Sequence, residues 1–477
     1  MTAAPVTAVR FGRLERRGVL LGLSSGQLAV LAAGLIVVVT AEYVAGAAGV
    51  VVSAPVWVAL VSLALLAVSG RPLVAWLPVT GQWLLRRALR RTGHVARPLV
   101  EHRPDVLVLP GIPGQLEVVE STATGAAYII DPRSATVTAV LEVSGRGFVL
   151  ENAGTQDRRV SGWGRVLASL CQQPEIVRVQ VLQRTSPGGA AEVRRWWAAH
   201  ALADAPWATR VVAELIADAD RSADRQECLL ALAVRAPRGG RKTTAATLSA
   251  VDQLLAATAD ALAAAEVDVH GWVTPGGLRH VLRRSYDPAG AAQSDTGEVN
   301  ERAAASIVGP MGVAESWDSV RTDSAHHAVY WLQEWPRSEV HPGFLQPLLL
   351  TPGARRSFTI IAEPLPPAKA FREIRRAKVE HTADAAQRAR VGRLEDESTR
   401  AEAADLVRRE QDLVAGHGDL RFAGLITVSA DTRDELDAAC RAAEAAAGQA
   451  MCELRRLVGQ QGQAHAAATL PLARGLL

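Results

Sequence analysis

The stretch Leu28–Val68, LAVLAAGLIVVVTAEYVAGAAGVVVSAPVWVALVSLALLAV, is almost continuously apolar and contains one acidic residue, Glu42, and no basic one. A bilayer core is roughly 30 Å thick and a helix needs about 20 mostly apolar residues to cross it, so the tract has room for two crossings. We read Leu28–Tyr43 with the small residues after it as one span, and Pro55–Val68 with the valines before it as the other. Gly46, Gly49, Ser53 and Pro55 supply the break, because glycine weakens a helix and proline cannot donate an interior helical hydrogen bond. Arg10, Arg13, Arg16 and Arg17 precede the tract, Arg71, Arg86, Arg87, Arg90 and Arg91 come after it, and the loop between has none. Short basic flanks stay in the cytoplasm. The expectation is a hairpin of two spans in the cell (inner) membrane, with both termini cytoplasmic and the turn outside. A cleaved signal peptide fits less well: its apolar region is shorter, and here a second apolar segment comes next without a clear small-x-small cleavage site. A buried helical hairpin in a soluble protein is the other alternative. Glu42 lies near the end of the first span, within reach of interfacial water.

A chain of 477 residues has room for this segment plus roughly two or three domains of typical size. Its formal net charge of +3 gives no general electrostatic case for nucleic acid, and no direct nucleic-acid binding is expected. Basic patches on the membrane side would instead meet anionic lipid headgroups. Lysine occurs only at Lys242, Lys369 and Lys378, which with the abundant alanine reads as GC-rich coding. Cys171, Cys228, Cys440 and Cys452 form no CxxC pair and have no histidine at ligand spacing, so no metal site is expected and the thiols should be reduced.

Behind the tract, Leu73–Leu89 reads as an amphipathic helix on the membrane surface, broken at Pro78 and Gly81, with Trp76 and Trp83 suited to the interface. Ala96–Gly114, punctuated by four prolines, reads as a linker. Strands are expected at Val106–Leu109, Gln115–Val119, Ala126–Asp131, Ala135–Ser144, Glu175–Gln183 and Cys228–Val234, the last covered on both faces, with a helix at Thr243–Ala265. The second half repeats the pattern: strands at Ala328–Trp335 and Ser357–Ala362 around a helical segment near His341–Leu350, then a long charged helix from Pro366 to Val414. A strand at Leu420–Ser429, a helix opened by the capping box Thr432–Glu435 and a strand at Glu453–Val458 close it. The expected fold class is α+β, with a two-helix transmembrane hairpin ahead of mixed α/β units of the ferredoxin-like, split βαβ kind. The corresponding domains are 1–95 (hairpin and juxtamembrane helix), 96–114 (linker), 115–315 (first cytoplasmic unit) and 316–477 (second unit with a helical arm).

Nothing in the chain reads as a catalytic site. The loop Arg238-Gly239-Gly240-Arg241-Lys242-Thr243-Thr244 sits where a phosphate-binding loop would, between strand and helix, but Ala236 and Arg241 occupy the two glycine positions that loop needs. His326 and His327 are adjacent on a strand and so point to opposite faces. His417 lies in a loop, no Gly-x-Ser-x-Gly elbow exists, and Trp196, Trp197 and Trp207 read as packing or, if exposed, as a partner surface.

Several stretches nevertheless carry a resemblance. Arg16–Ser24 leading into the hairpin, followed by Gly70-Arg71-Pro72-Leu73, resembles the PrgI-type small membrane subunit of type IV secretion systems. Glu334-Trp335-Pro336-Arg337, Pro342–Leu349, Ala415-Gly416-His417-Gly418, Phe422-Ala423-Gly424, Gly459-Gln460-Gln461 and Thr469-Leu470-Pro471-Leu472 resemble a family of actinobacterial membrane proteins linked to conjugation. In that family the hairpin is joined to a region similar to the amino-terminal, non-catalytic domain of the traffic ATPase. The resemblance covers nearly the full chain, and the sequence ends at Leu477 where a motor domain would come next. It implies a non-catalytic platform without a cofactor, anchored in membrane lipid, that docks a separate hexameric ATPase and meets other membrane subunits in an oligomeric assembly. The alternatives are a membrane subunit of a type VII secretion system and, from a different class, a membrane-bound nucleotide-binding enzyme using Lys242 and Thr243.

Overall fold

Helix α1 (Ser25–Val52) starts at a capping box in which the Ser24 hydroxyl accepts from the Gln27 amide while the Gln27 side chain accepts from the Ser24 amide at 2.9 Å. In this computed structural model α1 is not straight: Gly46 leaves the helical region at φ +59°, a conformation that glycine alone adopts cheaply. After Ser53 comes α2 (Ala54–Leu65). Helical hydrogen bonding passes through Ser53, whose amide donates to Gly49 O and whose carbonyl accepts from the Trp57 amide. The two arms pack antiparallel. Gln27 Nε2 donates to Ala64 O at 2.8 Å, and Gly34 faces Leu60. A Cβ on Gly49 would come within 2.4 Å of Ala41 O, so the arms approach this closely only because residue 49 has no side chain. The pairs 27/64, 34/60 and 41/49 are all centred near Gly46, which is where the hairpin turns.

Among the described residues α1 is the one helix long and apolar enough to cross a membrane, and 6% of its most apolar stretch is buried; α2 is apolar but has 12 residues. One candidate span is thus found among the described residues, and α2 is separated from it at Ser53. A short hairpin of β1 (Ala67–Val68) and β2 (Arg71–Pro72) leads through a 3-10 turn, Leu73–Trp76, into α3 (Leu77–Ala88). Pro78 sits in the first turn of α3, where its missing N–H costs nothing, and the helix runs through Gly81 unbroken. Leu77, Leu84, Leu85 and Leu89 are exposed, and Arg87 stacks over Trp83 at 5.1 Å.

The structure describes residues 11, 23–68, 71–96, 105–145, 147–187, 191–201, 206–222, 224–236, 245–290, 309–351, 354–390 and 397–475. Arg10, Arg13, Arg16, Arg17 and the Arg238–Thr244 loop with Lys242 lie outside them. Residues Leu14–Thr92 form one compact unit; Gly93–Leu477 together with the residues up to Arg13 form the other.

The larger unit is a mixed α/β body around one antiparallel sheet. After β3 (Gly93–Val95), a meander of β4 (Val106–Leu107), β5 (Leu116–Glu120) and β6 (Ala127–Asp131) enters the first repeat. That repeat comprises β7 (Thr136–Ser144), α4 (Ala153–Cys171), β8 (Ile176–Pro187), α5 (Ala191–His200), α6 (Pro206–Ser222), β9 (Asp224–Arg235), α7 (Ala245–Ala264) and β10 (Asp268–Trp272). Helix α8 (Pro275–Tyr286) and the hairpin of β11 (Gly312–Glu315) and β12 (Val320–Arg321) lead on to the second. It comprises β13 (His326–Glu334), α9 (Gln346–Leu349), β14 (Arg355–Leu365), α10 (Pro367–Arg390), α11 (Glu397–Val414), β15 (Asp419–Ala430), α12 (Arg433–Gln449) and β16 (Glu453–Arg456), and α13 (Gln461–Thr469) comes after it. The strand orders are β10-β7-β9-β8 and β16-β13-β15-β14, the split βαβ order in both cases. Strands β8 and β14 pair antiparallel, from Ala362↔Val179 to Arg356↔Thr185, and fuse the repeats into one sheet.

Side-chain alternation covers both faces. On β9, Leu230, Leu232 and Val234 pack with α4 and α7, while Leu229, Ala231 and Ala233 pack with α8 and the segment around Leu470. Helix α12 lies on the α4 side and α13 on the other. The charged stretch Pro366–Val414 is a helical pair, α10 and α11, held by Leu365, Ala370, Ile374 and Leu413 and by a Lys378–Glu410 ion pair. The expected helix near His341–Leu350 shrinks to the four residues of α9, with Pro342 and Gly343 ahead of it and Pro347 in its first turn. The capping box at Thr432 and Glu435 forms as expected.

Candidate functional site

The short sequence stretches that carry the family resemblance come together as packing devices. Trp335 directly succeeds the end of β13, and a Cβ on Gly424 would stand 2.7 Å from its Cζ2, so residue 424 is glycine to admit the indole. Phe344 and Phe422 flank the same ring at 6.5 and 5.3 Å between centroids. Into this cluster comes Phe11, stacked on Trp335 at 4.7 Å and close to Phe344 at 5.3 Å. A residue preceding the hairpin thus completes the core of the second repeat. Gly418 works the same way: a Cβ there would meet Cys171 Sγ at 2.8 Å and Ala168 at 2.9 Å, so the loop before β15 lies directly on α4.

The stretches near Leu470 are stitched to the sheet by two buried amides. Gln461 accepts from Val329 N at 2.9 Å and donates to Leu457 O at 3.0 Å. Gln180 donates to Leu470 O at 3.0 Å and accepts from Ala473 N at 2.7 Å, so Leu470–Ala473 crosses from the second repeat to the first. Arg474 ends the crossing in an ion pair with Asp131.

Beside that crossing, where β8 meets β14, the sheet face holds a small polar pocket. Strand register builds it. One row carries Glu227 opposite Arg184, with Ser357 opposite Arg184 on its other side; the next row carries Arg225 opposite Ser186, and Arg355 opposite Ser429, which faces His327. Arg284 and Ser285 descend from α8. Arg184 is buried; it pairs with Glu227 at 2.9 Å and donates to Ser285 Oγ at 2.5 Å and to Thr469 O at 2.7 Å. Arg284 approaches the same Glu227 at 3.5 Å. Burial pushes the Glu227 carboxyl up, but the two guanidiniums outweigh it and hold it below the usual range. Behind the pocket, His327 shares hydrogen bonds with Thr322 and Ser429 and lies 4.4 Å from the His465 ring. Burial holds both imidazoles neutral, His465 down to about 3 with the Arg184 charge adding to the effect.

The sequence reading named no catalytic, cofactor or metal residue. It placed His326 and His327 on opposite faces, and the structure has His327 buried and His326 half-buried. His417 is exposed. All four cysteines are free thiols, and burial pushes Cys228 and Cys452 up to about 11. Among the described residues no group of three or more histidine, cysteine or carboxylate side chains is placed to hold a metal ion. Trp196, Trp207 and Leu215 are 58%, 72% and 62% exposed, so the α5–α6 pair exposes large apolar side chains. The arginine pocket was not legible in advance, because its members are spread from Arg184 to Thr469 and only the register gathers them. No family model matches the chain, and no curated protein matches it.

Proposed function

We propose that this protein is a non-catalytic platform of a conjugative, type IV-like secretion apparatus, anchored in the cell membrane and docking a separate traffic ATPase. The observation that carries the anchoring is α1: an apolar helix of 28 residues whose most apolar stretch is 6% buried has no place in water. The hairpin crosses the bilayer twice. Gly46 leaves roughly 20 residues on either side of the turn, the length one crossing needs, and the arginines at 71, 86, 87, 90 and 91 keep the rest of the chain in the cytoplasm. The two-repeat body recruits, and the α5–α6 surface with Trp196, Trp207 and Leu215 is its docking face. The transport-system assignment rests on the sequence resemblance.

Extraction of the full chain in mild detergent, from cells that also express a Walker-type traffic ATPase of the same organism, tests the reading. A stable complex that Trp207→Asp with Leu215→Asp disrupts is the expected result. A clean monomer in the presence of the ATPase removes the docking role. Alkaline phosphatase fused after Ala47 should be active and fused after Ala88 inactive; activity at both points rules out the hairpin.

A further inference from the structure

Granted the membrane-anchored hairpin proposed above, on which this rests, we infer that α3 lies in the cytoplasmic face of the bilayer and recognises acidic phospholipid. At about 100° of turn per residue, Leu77, Leu84 and Leu85, with Gly81 and Ala88 between them, share one side of α3, and Val79, Thr80, Trp83 and Arg86 share the other. The leucine side is the exposed one, Leu84 and Leu85 at 59% and 60%, whereas the four residues of the mixed side are half-buried. A helix bathed in water buries its apolar side. Helix α3 does the reverse, which is the arrangement of a helix whose leucines meet lipid. Its place in the chain agrees. The 3-10 turn that leads into α3 is seated where the apolar hairpin begins and ends: Leu73 N donates to Leu66 O at 2.9 Å, Trp76 Nε1 donates to Val68 O at 3.3 Å, and a Cβ on Gly26 would stand 3.2 Å from Val74 Cγ1. Leu65, Leu66 and Val68 at that end are exposed as well, so exposed apolar side chains continue along the chain from the hairpin into α3. With 12 residues α3 is too short to cross and is suited to lie in the interface.

Charge selects the lipid. The compact unit Leu14–Thr92 has seven arginines against two glutamates, Glu15 and Glu42, so the positive excess of the whole chain, +3, resides there. No acidic residue stands between Glu42 and Glu101 in the sequence. Helix α3 ends in a turn in which the Arg90 amide donates to Arg87 O at 3.0 Å and the Arg91 amide to Arg86 O at 2.8 Å, with Arg90 at φ +52°, where glycine is the usual residue. That turn gathers Arg87, Arg90 and Arg91, all exposed, directly after the exposed Leu84 and Leu85. Planar guanidiniums take phosphate oxygens in pairs, and basic side chains on the cytoplasmic side of a span are drawn to anionic lipid. A zwitterionic headgroup offers the same phosphate with its charge cancelled.

The test labels the full chain with the fluorophore NBD at Leu84→Cys or, as the control for anchoring, at Leu35→Cys in the hairpin. The unsubstituted chain, whose cysteines are buried or half-buried, gives the labelling background. Each labelled chain is reconstituted in phosphatidylcholine vesicles that contain either phosphatidylglycerol or phosphatidylcholine spin-labelled on the acyl chain. Both sites are expected to be quenched, and at residue 84 the spin-labelled phosphatidylglycerol should quench about twofold or more over the spin-labelled phosphatidylcholine. Arg87→Gln, Arg90→Gln and Arg91→Gln combined should bring that ratio to one and leave quenching at residue 35 unaltered. Quenching at residue 35 without quenching at residue 84 keeps the anchor and overturns the inference. So does an emission at residue 84 that is blue-shifted yet unquenched, which means that protein covers the leucines. Equal quenching by the two lipids at residue 84 overturns the recognition of acidic lipid, and a preference that survives the triple variant overturns the role of the arginines. No quenching at either site removes the anchor, and the inference with it.

Discussion

The two repeats share a strand order but close their sheets differently. In the first, the crossover from β7 to β8 is α4, 19 residues capped by Asn152 and seated through Val166 and Leu170. In the second, the crossover from β13 to β14 keeps only the four-residue α9, and the face beside α12 is filled by Trp335, Phe344, Leu348 and Phe11. One repeat is covered by a helix of its own; the other borrows a side chain from the segment ahead of the apolar helices α1 and α2. The difference teaches that the βαβ order tolerates loss of a crossover helix when aromatic volume replaces it, and it makes the second repeat the one whose stability depends on a distant part of the chain.

The largest expected effect comes from emptying that aromatic cluster. Trp335→Ala should cost about 3–5 kcal/mol, read as a fall in the denaturation midpoint of the full chain in detergent. Phe11→Ala, which removes the borrowed ring alone, should cost about 1–2 kcal/mol and speed tryptic cleavage at Arg10 and Arg13. If Phe11→Ala changes neither stability nor cleavage, the second repeat is self-sufficient and the contrast with the first collapses.

Acid should act next, at the seam between the repeats. His327 and His465 are held neutral in the folded chain, well below the ordinary 6.5 and down to about 3 respectively. Above pH 6.5 both states are neutral and nothing changes. Below it the unfolded chain takes up protons that the folded chain refuses, so stability falls as pH drops, by up to about 1.4 kcal/mol per pH unit for each histidine. Denaturation midpoints from pH 7 to pH 5 should show the slope, and His465→Gln should flatten it. A profile unchanged by His465→Gln would mean that water reaches the seam. The carboxylates held low by arginines, Glu227 and Asp318, add their own loss in a separate window, below the usual carboxylate range.

How much of this was legible in the sequence depends on which interactions are local. The alternation in Glu175–Gln183, the apolar run ending at Val234 and the capping box at Thr432 are set by near neighbours, and the strands β8 and β9 and helix α12 form where those signals stand. The charged stretch Pro366–Val414 reads as a long helix, and its described residues form the pair α10 (Pro367–Arg390) and α11 (Glu397–Val414). The break that Gly46, Ser53 and Pro55 signal is local too, and it stands where Gly46 leaves the helical region and α2 begins at Ala54. Gly424 and Gly418 stood inside stretches picked out by resemblance, but their purpose is a neighbour 89 or more positions away, Trp335 or Cys171, which no local pattern encodes. The arginine pocket is the extreme case: Arg184, Arg284 and Arg355 share no local pattern, and only setting β8 and β14 side by side gathers them.

The smallest effect bears most directly on whether the repeats are separate energetic units. Among the described residues, both repeats show a side-chain cap on a sheet-covering helix: Asn152 accepts from the Thr155 amide at 2.9 Å to open α4, and Thr432 accepts from the Glu435 amide at 3.3 Å to open α12. Either residue changed to alanine should cost about 1 kcal/mol. The caps share no hydrogen-bond partner, so if the repeats behave independently the double variant should show the sum within about 0.5 kcal/mol. A coupling larger than that would mean that loosening α4 is felt at α12. The route is already in place: α4 touches the loop before β15 through Cys171 and Gly418, and α12 packs on β15 through Leu436 and Val428. Additivity would instead confine each cap to its own half and leave the β8–β14 seam, with its buried arginine, as the place where the two halves are joined.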